Sequence, residues 1–221
     1  MPDALAHYTL LADLFQYPDA GFASRVNRVQ AFLDWKYPEA GVVLKGFTAF
    51  VDQATLDEQE ELFTRSFDVQ AVTTLDLGYV LFGDDYKRGA LLVNLNREHK
   101  DADNPCYNEL ADHLPNVLRL LPKLQDAALC NELVEKIVAP ALRKMIDEFD
   151  PDKISRKKKV YLKHHKTWID RSEDYGTIYR NTLIALYSVF VEDFHVKETA
   201  PPRQTSDFLK NIGTEIELEA E

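Results

Sequence analysis

Glycine and cysteine are scarce in this chain of 221 residues. Its eight glycines leave little material for a series of tight hairpin turns, so the composition disfavours a protein built from β-strands. The only two cysteines, Cys106 and Cys130, form no C-x-x-C pair and are too few for a disulfide framework. This cysteine usage indicates a reducing compartment.

Basic residues are outnumbered by acidic ones, with 26 Lys and Arg against 37 Asp and Glu, which gives a net charge of −11. That balance disfavours phosphate backbones and anionic lipid surfaces as partners and favours cationic ones. The basic, aromatic stretch from Lys153 to Trp168 is the one place suited to RNA, and the overall charge favours a solvated helix face there. We therefore predict no nucleic-acid partner.

A long apolar run is also lacking. The most apolar window, residues 183–191, is too short to span a bilayer and indicates a buried helix. Residues 1–7 lack a basic segment followed by an apolar one, so they do not resemble a secretory signal. We predict a cytoplasmic protein without direct membrane insertion.

Apolar residues recur at three- and four-residue intervals from Leu5 to Phe194, which predicts a helical protein. The first such stripe runs from Leu5 to Phe15 and should form one helix. Thr55 and Glu58 match a capping box that starts a helix, and Pro140 should kink or divide a longer one. The short apolar runs at 41–44 and 90–93 fit helices better than strands.

The chain has no glycine- or serine-rich linker and no internal repeat. The predicted fold class is therefore all-α, a single-domain helical bundle. Residues 1–198 should form this domain, and residues 199–221 should form an acidic, mobile tail.

Local motifs for catalysis or metal binding are weak. The segment Gly83–Gly89 has the glycines of a phosphate loop but lacks the G-K-[ST] ending. A turn in which Asp84 and Asp85 cap the next helix explains it better. Asp112 and His113 are adjacent and suggest a metal site, but no closed ligand set accompanies them. We predict no metal and no other cofactor.

Three blocks of sequence between Glu60 and Leu121 occur in an order that resembles a known family. The blocks are ELFTRSFD at 61–68, with LDL following at 75–77, FGDDYKRGALL at 82–92 and ELADHLP at 109–115, and an LFQYP motif at 14–18 precedes them. Ala111 stands where the family usually has proline. In this order the blocks resemble the nitrate reductase delta-subunit chaperones, the NarJ branch of the TorD-like redox-enzyme maturation family.

The resemblance implies a helical chaperone without catalytic residues or turnover. Such a protein binds the N-terminal segment of the apo catalytic (alpha) subunit of a molybdopterin oxidoreductase of the nitrate reductase type. It holds that segment until the molybdenum cofactor is inserted, before export or membrane docking. The resemblance leaves the client, and the choice between monomer and dimer, open.

We expect the client to bind beside the second and third blocks. The predicted client-binding residues are Phe67, Asp68, Tyr79, Phe82, Asp84, Arg88, Glu109, Asp112 and His113. The three aromatic residues would offer apolar contact, and the three aspartates would accept hydrogen bonds from client arginines. The alternative to client binding is a structural role, in which Arg88 pairs with Asp68 or Glu109 inside the fold.

Two other functions fit the same sequence. One is a non-catalytic helical subunit that stays in the mature oxidoreductase complex, which stable co-purification with the cofactor-loaded enzyme would reveal. The other is a metal-dependent hydrolase that uses Asp112 and His113, which stoichiometric bound metal would support.

Overall fold

A computed structural model describes residues 2–156 and 178–196 of the chain. The acidic tail predicted at 199–221 and most of the basic stretch lie outside these residues. The α-helices of the described part, numbered in chain order, are α1 His7–Leu11, α2 Phe22–Lys36, α3 Pro38–Gln53, α4 Leu56–Phe67, α5 Leu77–Phe82, α6 Tyr86–Asp101, α7 Leu114–Leu120, α8 Ala127–Leu133, α9 Ala139–Glu148 and α10 Ile178–Phe194.

The described residues contain no strand beyond one isolated β-bridge, so the all-α prediction is confirmed for them. The runs 41–44 and 90–93 lie inside α3 and α6, as predicted. Short 3₁₀ segments lie at Pro2–Leu5, before α1, at Ala12–Phe15, after α1, and at Leu121–Lys123, after α7. None of the helices in the described ranges has both the length and the apolar character needed to cross a membrane.

The start of α4 is fixed by the predicted capping box. The Thr55 hydroxyl accepts a hydrogen bond from the Glu58 amide at 3.3 Å, and the Glu58 carboxylate accepts one from the Thr55 amide at 2.8 Å. The two side chains thus satisfy amides that have no partner within the helix.

Two helical stretches contain irregular turns, and only one of these was predicted. The first stripe does not make one helix, because the Ala12 amide bonds to the carbonyls of both Tyr8 and Leu10 and the chain tightens into a 3₁₀ turn. The long helix is interrupted near Pro140, as predicted: a π-helical segment, Val134–Val138, lies directly before α9, of which Pro140 is the second residue. Proline removes an amide and crowds the carbonyl four residues earlier, and a wider turn accommodates both effects.

The described chain divides into two compact units. The first consists of residues 2–12, 75–141 and 190–196. In it the Tyr8 ring stacks on Phe190 with centroids 4.6 Å apart. The Asp193 carboxylate accepts a hydrogen bond from the Tyr8 hydroxyl at 3.0 Å and lies 2.7 Å from His7 Nε2. The start of the chain is thereby fixed to the end of α10.

The second unit consists of residues 13–74, 142–156 and 178–189. Helices α2 and α3 pack closely, and a Cβ on Gly41 would lie 2.5 Å from an Asp34 carboxylate oxygen. Gln30 is buried between them, donates to the Gly41 carbonyl at 3.0 Å and accepts from the Thr48 hydroxyl at 2.9 Å. The buried amide is therefore paired on both sides.

Candidate functional site

The isolated β-bridge joins two blocks that are far apart in the sequence. Asp76 pairs with His113 in antiparallel fashion. The Leu77 amide donates to the Asp112 carbonyl at 3.0 Å, and the Leu114 amide donates to the Leu75 carbonyl at 2.8 Å. The start of α5 and the loop before α7 are thus held side by side in the first unit.

Arg88, in the first turn of α6, ties this bridge to a third segment. Its Nη2 donates to Asp76 Oδ2 at 2.8 Å, and its Nε donates to Asp112 Oδ2 at 3.1 Å. The Gly78 amide donates to the same Asp112 oxygen at 3.1 Å. We call Asp76, Gly78, Arg88, Asp112 and His113 the clamp, because its members hold three segments of the first unit together.

The clamp is charged although it is largely removed from water. Asp112 is fully buried. Burial raises the pKa of Asp76, but hydrogen bonds and charges from His113 and Arg88 outweigh this effect, so its pKa is lowered. Burial opposes the Arg88 charge, and the carboxylates of Asp112 and Asp76 outweigh it, so the Arg88 pKa is raised. The ion pairs therefore keep each other ionised.

Position 78 of the clamp has room for glycine but not for a residue with a side chain. A Cβ at this position would lie 2.7 Å from Asp112 Oδ2 and 3.1 Å from both Arg88 Cγ and Leu91 Cδ2. Asp112 and Arg88 are held by the hydrogen bonds already described, and Leu91 is fully buried, so these side chains have little freedom to move aside. The close approach lets the Gly78 amide reach the buried carboxylate.

A strip of partly exposed side chains continues from the clamp to the surface. His113 Nδ1 lies 3.1 Å from Asp76 Oδ1 and 3.8 Å from Glu109 Oε2, and the Glu109 side chain is 60% exposed. At the other end, the Arg88 guanidinium lies over the Tyr79 ring, 5.3 Å from its centroid. Tyr79 is itself 43% exposed. The strip from Glu109 to Tyr79 offers carboxylate and aromatic groups to a partner.

A second network fixes the loop 102–113 from the inside. The His99 Nε2 lies 3.0 Å from the Ala111 carbonyl, and the amide nitrogen of Asn104 lies 2.9 Å from His99 Nδ1. The same Asn104 nitrogen donates to the Asn116 carbonyl at 3.1 Å. This network was not among the predictions from the sequence. The available signal is that His99 follows Leu91 and Leu95 at four-residue intervals, on the buried face of α6.

The His99 network predicts a particular pH dependence. Burial, the largest effect on this ring, lowers the His99 pKa, so the folded state holds it neutral. The histidine of the unfolded chain takes up a proton at about pH 6.5. The stability that the neutral, buried His99 contributes is therefore present above that pH and is lost as the pH falls.

We expect wild type to lose more unfolding free energy between about pH 7 and about pH 5 than a His99→Gln variant does. Urea denaturation of both proteins across that range measures the difference. Equal losses in the two proteins would contradict the assignment of a neutral, buried His99.

The structure places the nine predicted client-binding residues in both units. Phe67 and Asp68 belong to the second unit, and the other seven belong to the first. Phe67 and Asp112 are buried, so in this fold they contribute to the core and to the clamp. The exposed or half-exposed members are Asp68, Tyr79, Phe82, Asp84, Arg88, Glu109 and His113.

Two local predictions need correction. Arg88 pairs with Asp76 and Asp112 and not with Asp68 or Glu109. Asp85 alone is the N-cap of α6, where its carboxylate accepts from the Lys87 amide at 2.9 Å, and Asp84 is an exposed turn residue. Asp85, directly before the helix, has the extended backbone that a cap requires, with φ −69° and ψ 150°.

The geometry gives the hydrolase alternative little support. Asp112 accepts hydrogen bonds from Arg88 and from the Gly78 amide, whereas His113 contacts Asp76 and Glu109. Among the described residues, no group of three or more His, Cys, Asp or Glu side chains is arranged to hold a metal ion.

No protein-family model and no curated protein sequence matches the chain.

Proposed function

We propose that the protein is a system-specific assembly chaperone for a molybdenum oxidoreductase. It binds the N-terminal segment of the apo catalytic subunit, holds that subunit ready for cofactor insertion, and acts in the cytoplasm without catalytic turnover. Its action precedes export or membrane docking of the client.

One observation carries the proposal. In the segments that resemble the NarJ branch, His113 hydrogen-bonds to Asp76, 37 positions earlier, and Arg88 hydrogen-bonds to both Asp76 and Asp112. The LDL, FGDDYKRGALL and ELADHLP segments therefore meet in one physical cluster, whereas ELFTRSFD lies in the second unit. The meeting of these segments in one place supports the proposal that the protein functions as members of that family do.

The chemistry of the surface beside the cluster suits a cationic, amphipathic segment. Glu109 and Asp84 are exposed carboxylates that can accept charge-assisted hydrogen bonds from client arginines. Tyr79 is exposed and already lies beside one guanidinium, that of Arg88. Apolar contact would supply affinity, while exposed charges would mainly steer encounter and select partners.

Release in this scheme requires no nucleotide. Cofactor insertion that folds or buries the client's segment lowers its availability, and the binding equilibrium then shifts toward the free chaperone. Because no covalent step is involved, the proposal does not need a catalytic residue in the chaperone.

The test is isothermal titration with peptides from the N-termini of the molybdenum oxidoreductase catalytic subunits of the source cell. We expect one of these peptides to bind wild type and to bind a double variant, Asp84→Asn with Glu109→Gln, about tenfold more weakly. The matched control is Glu192→Gln, which removes an exposed carboxylate of the same unit at the end of α10. The control should bind as wild type does.

Absence of binding by all the peptides would refute the proposal. Stable co-purification with the mature, cofactor-loaded enzyme would instead favour the retained-subunit alternative.

A further inference from the structure

The tip of the loop before α7, residues 105–110, exposes a large aromatic side chain on a strained backbone. Tyr107 is 87% exposed, and Leu110 is 48% exposed. The Glu109 amide donates to the Cys106 carbonyl at 3.1 Å and closes a turn around Tyr107. Tyr107 has a φ of 53°, a left-handed conformation that glycine and asparagine adopt more easily than tyrosine.

The tip is held rigid from below. Asn116 is buried, and its side-chain nitrogen donates to the Cys106 carbonyl at 3.3 Å and to the Leu110 carbonyl at 3.1 Å. One side chain therefore fixes both ends of the turn. The Asn116 carbonyl in turn accepts from Asn104, so the tip is fixed to the His99 network.

Neither folding nor solubility explains a tyrosine at this point. Its ring is largely in water, so it contributes little burial, and its backbone conformation disfavours its residue type. Positions at which a local rule is broken on a rigid framework are characteristic of functional sites. A fixed tip also loses little conformational entropy when a partner binds, which favours affinity.

The charge around the tip selects the partner. Residues 101–112 include Asp101, Asp103, Glu109 and Asp112 but no lysine or arginine. Asp112 is buried in the clamp, while the other three are exposed. One cation approaches from outside this segment, since Lys123 Nζ donates to the Asp103 carbonyl at 2.8 Å. The exposed surface of the tip is thus apolar and acidic together.

We infer that the tip is a docking contact for a peptide segment that presents an apolar face beside arginine or lysine, with Tyr107 and Leu110 as apolar anchors and Glu109 as the cation acceptor. Tyrosine is a frequent hot spot because it offers a large contact area with few rotatable bonds. The inference rests on the proposed function only for the source of the segment, the client's N-terminus.

The experiment uses the full chain and three designed helical peptides of equal length. The first has a leucine face and arginines, the second has glutamates in place of the arginines, and the third has serines in place of the leucines. Fluorescence anisotropy measures the affinity of each peptide. We expect the leucine–arginine peptide to bind at least about tenfold more tightly than the other two.

The decisive variant is Tyr107→Asn, which keeps the turn and suits the positive φ. It should melt at or above the wild-type temperature and yet bind the leucine–arginine peptide at least about tenfold more weakly. The matched control is Gln70→Asn, which relieves a similar φ of 52° at an exposed position in the second unit. It should leave binding unchanged.

Equal binding of wild type and Tyr107→Asn would overturn the inference, and so would equal binding of the three peptides. A Tyr107→Asn variant that loses stability along with affinity would make the tyrosine structural and would also overturn it. The proposed function fails separately: loss of leucine–arginine binding in the variant, without any binding of a molybdoenzyme segment by wild type, would leave the docking contact in place and reject the client.

Discussion

An Asp112→Ala variant is expected to lose about 3 kcal/mol of unfolding free energy, because removing one partner of a buried ion pair leaves the other charge uncompensated. Asp112 is fully buried, and its Oδ2 accepts hydrogen bonds from both Arg88 and the Gly78 amide. The alanine variant would leave both donors without this acceptor. Urea denaturation followed by circular dichroism at neutral pH measures the change.

Two further variants serve as comparisons: one tests the charge of Asp112 separately from its hydrogen bonds, and the other is a surface control. Asp112→Asn keeps an oxygen that can face Arg88 and Gly78, so its loss should be smaller than that of the alanine variant. Asp84→Ala removes an exposed carboxylate of the same unit and should change the unfolding free energy by less than about 0.5 kcal/mol. Similar losses in Asp112→Ala and Asp84→Ala would show that the clamp does not stabilise the first unit.

Local features of the sequence predicted the helices well, because each depends on neighbouring residues. The capping box at Thr55 and Glu58 is present, and the long helix is interrupted by a π-helical segment just before Pro140. Both depend on hydrogen bonds within a few positions, which spacing along the chain can specify. The same reasoning failed for residues 5–15, where the end of α1 tightens into a 3₁₀ turn that apolar spacing does not reveal.

The ion-pair partners of the clamp could not be predicted in the same way. Arg88 lies 12 positions from Asp76 and 24 from Asp112, and the chain offers 37 acidic residues as candidates. Which of them Arg88 meets depends on how α5, α6 and the loop before α7 pack. The family resemblance marked Arg88 as a residue of interest, and the structural alternative paired it with Asp68 or Glu109. Nothing in the local sequence distinguishes those carboxylates from Asp76 and Asp112.

The clamp also separates two roles within the ELADHLP block. Asp112 points inward to Arg88, while Glu109, three positions earlier, has a side chain that is 60% exposed. A loop that has both buried and exposed side chains is both anchored and available for contact. A motif of this kind therefore carries structural and binding residues side by side, and only burial distinguishes them.

The largest effect is expected at Phe67, one of the predicted client contacts. A Phe67→Ala variant should lose about 4 kcal/mol of unfolding free energy, the usual scale for removing a buried phenylalanine ring. In the second unit its ring lies 4.8 Å from Tyr179, 5.3 Å from Phe63 and 6.4 Å from Phe15, centroid to centroid, and it is only 8% exposed.

Comparison with Tyr79→Ala makes this prediction specific to the core. Tyr79 is 43% exposed, and its ring contact with Arg88 should contribute about 1 kcal/mol or less. Phe67→Leu should lose clearly less stability than the alanine variant, because leucine refills much of the cavity. Denaturation curves of the three variants decide between a core and a surface role. If Phe67→Ala is as stable as wild type but binds the client's segment more weakly, Phe67 is a client contact and its place in the core is refuted.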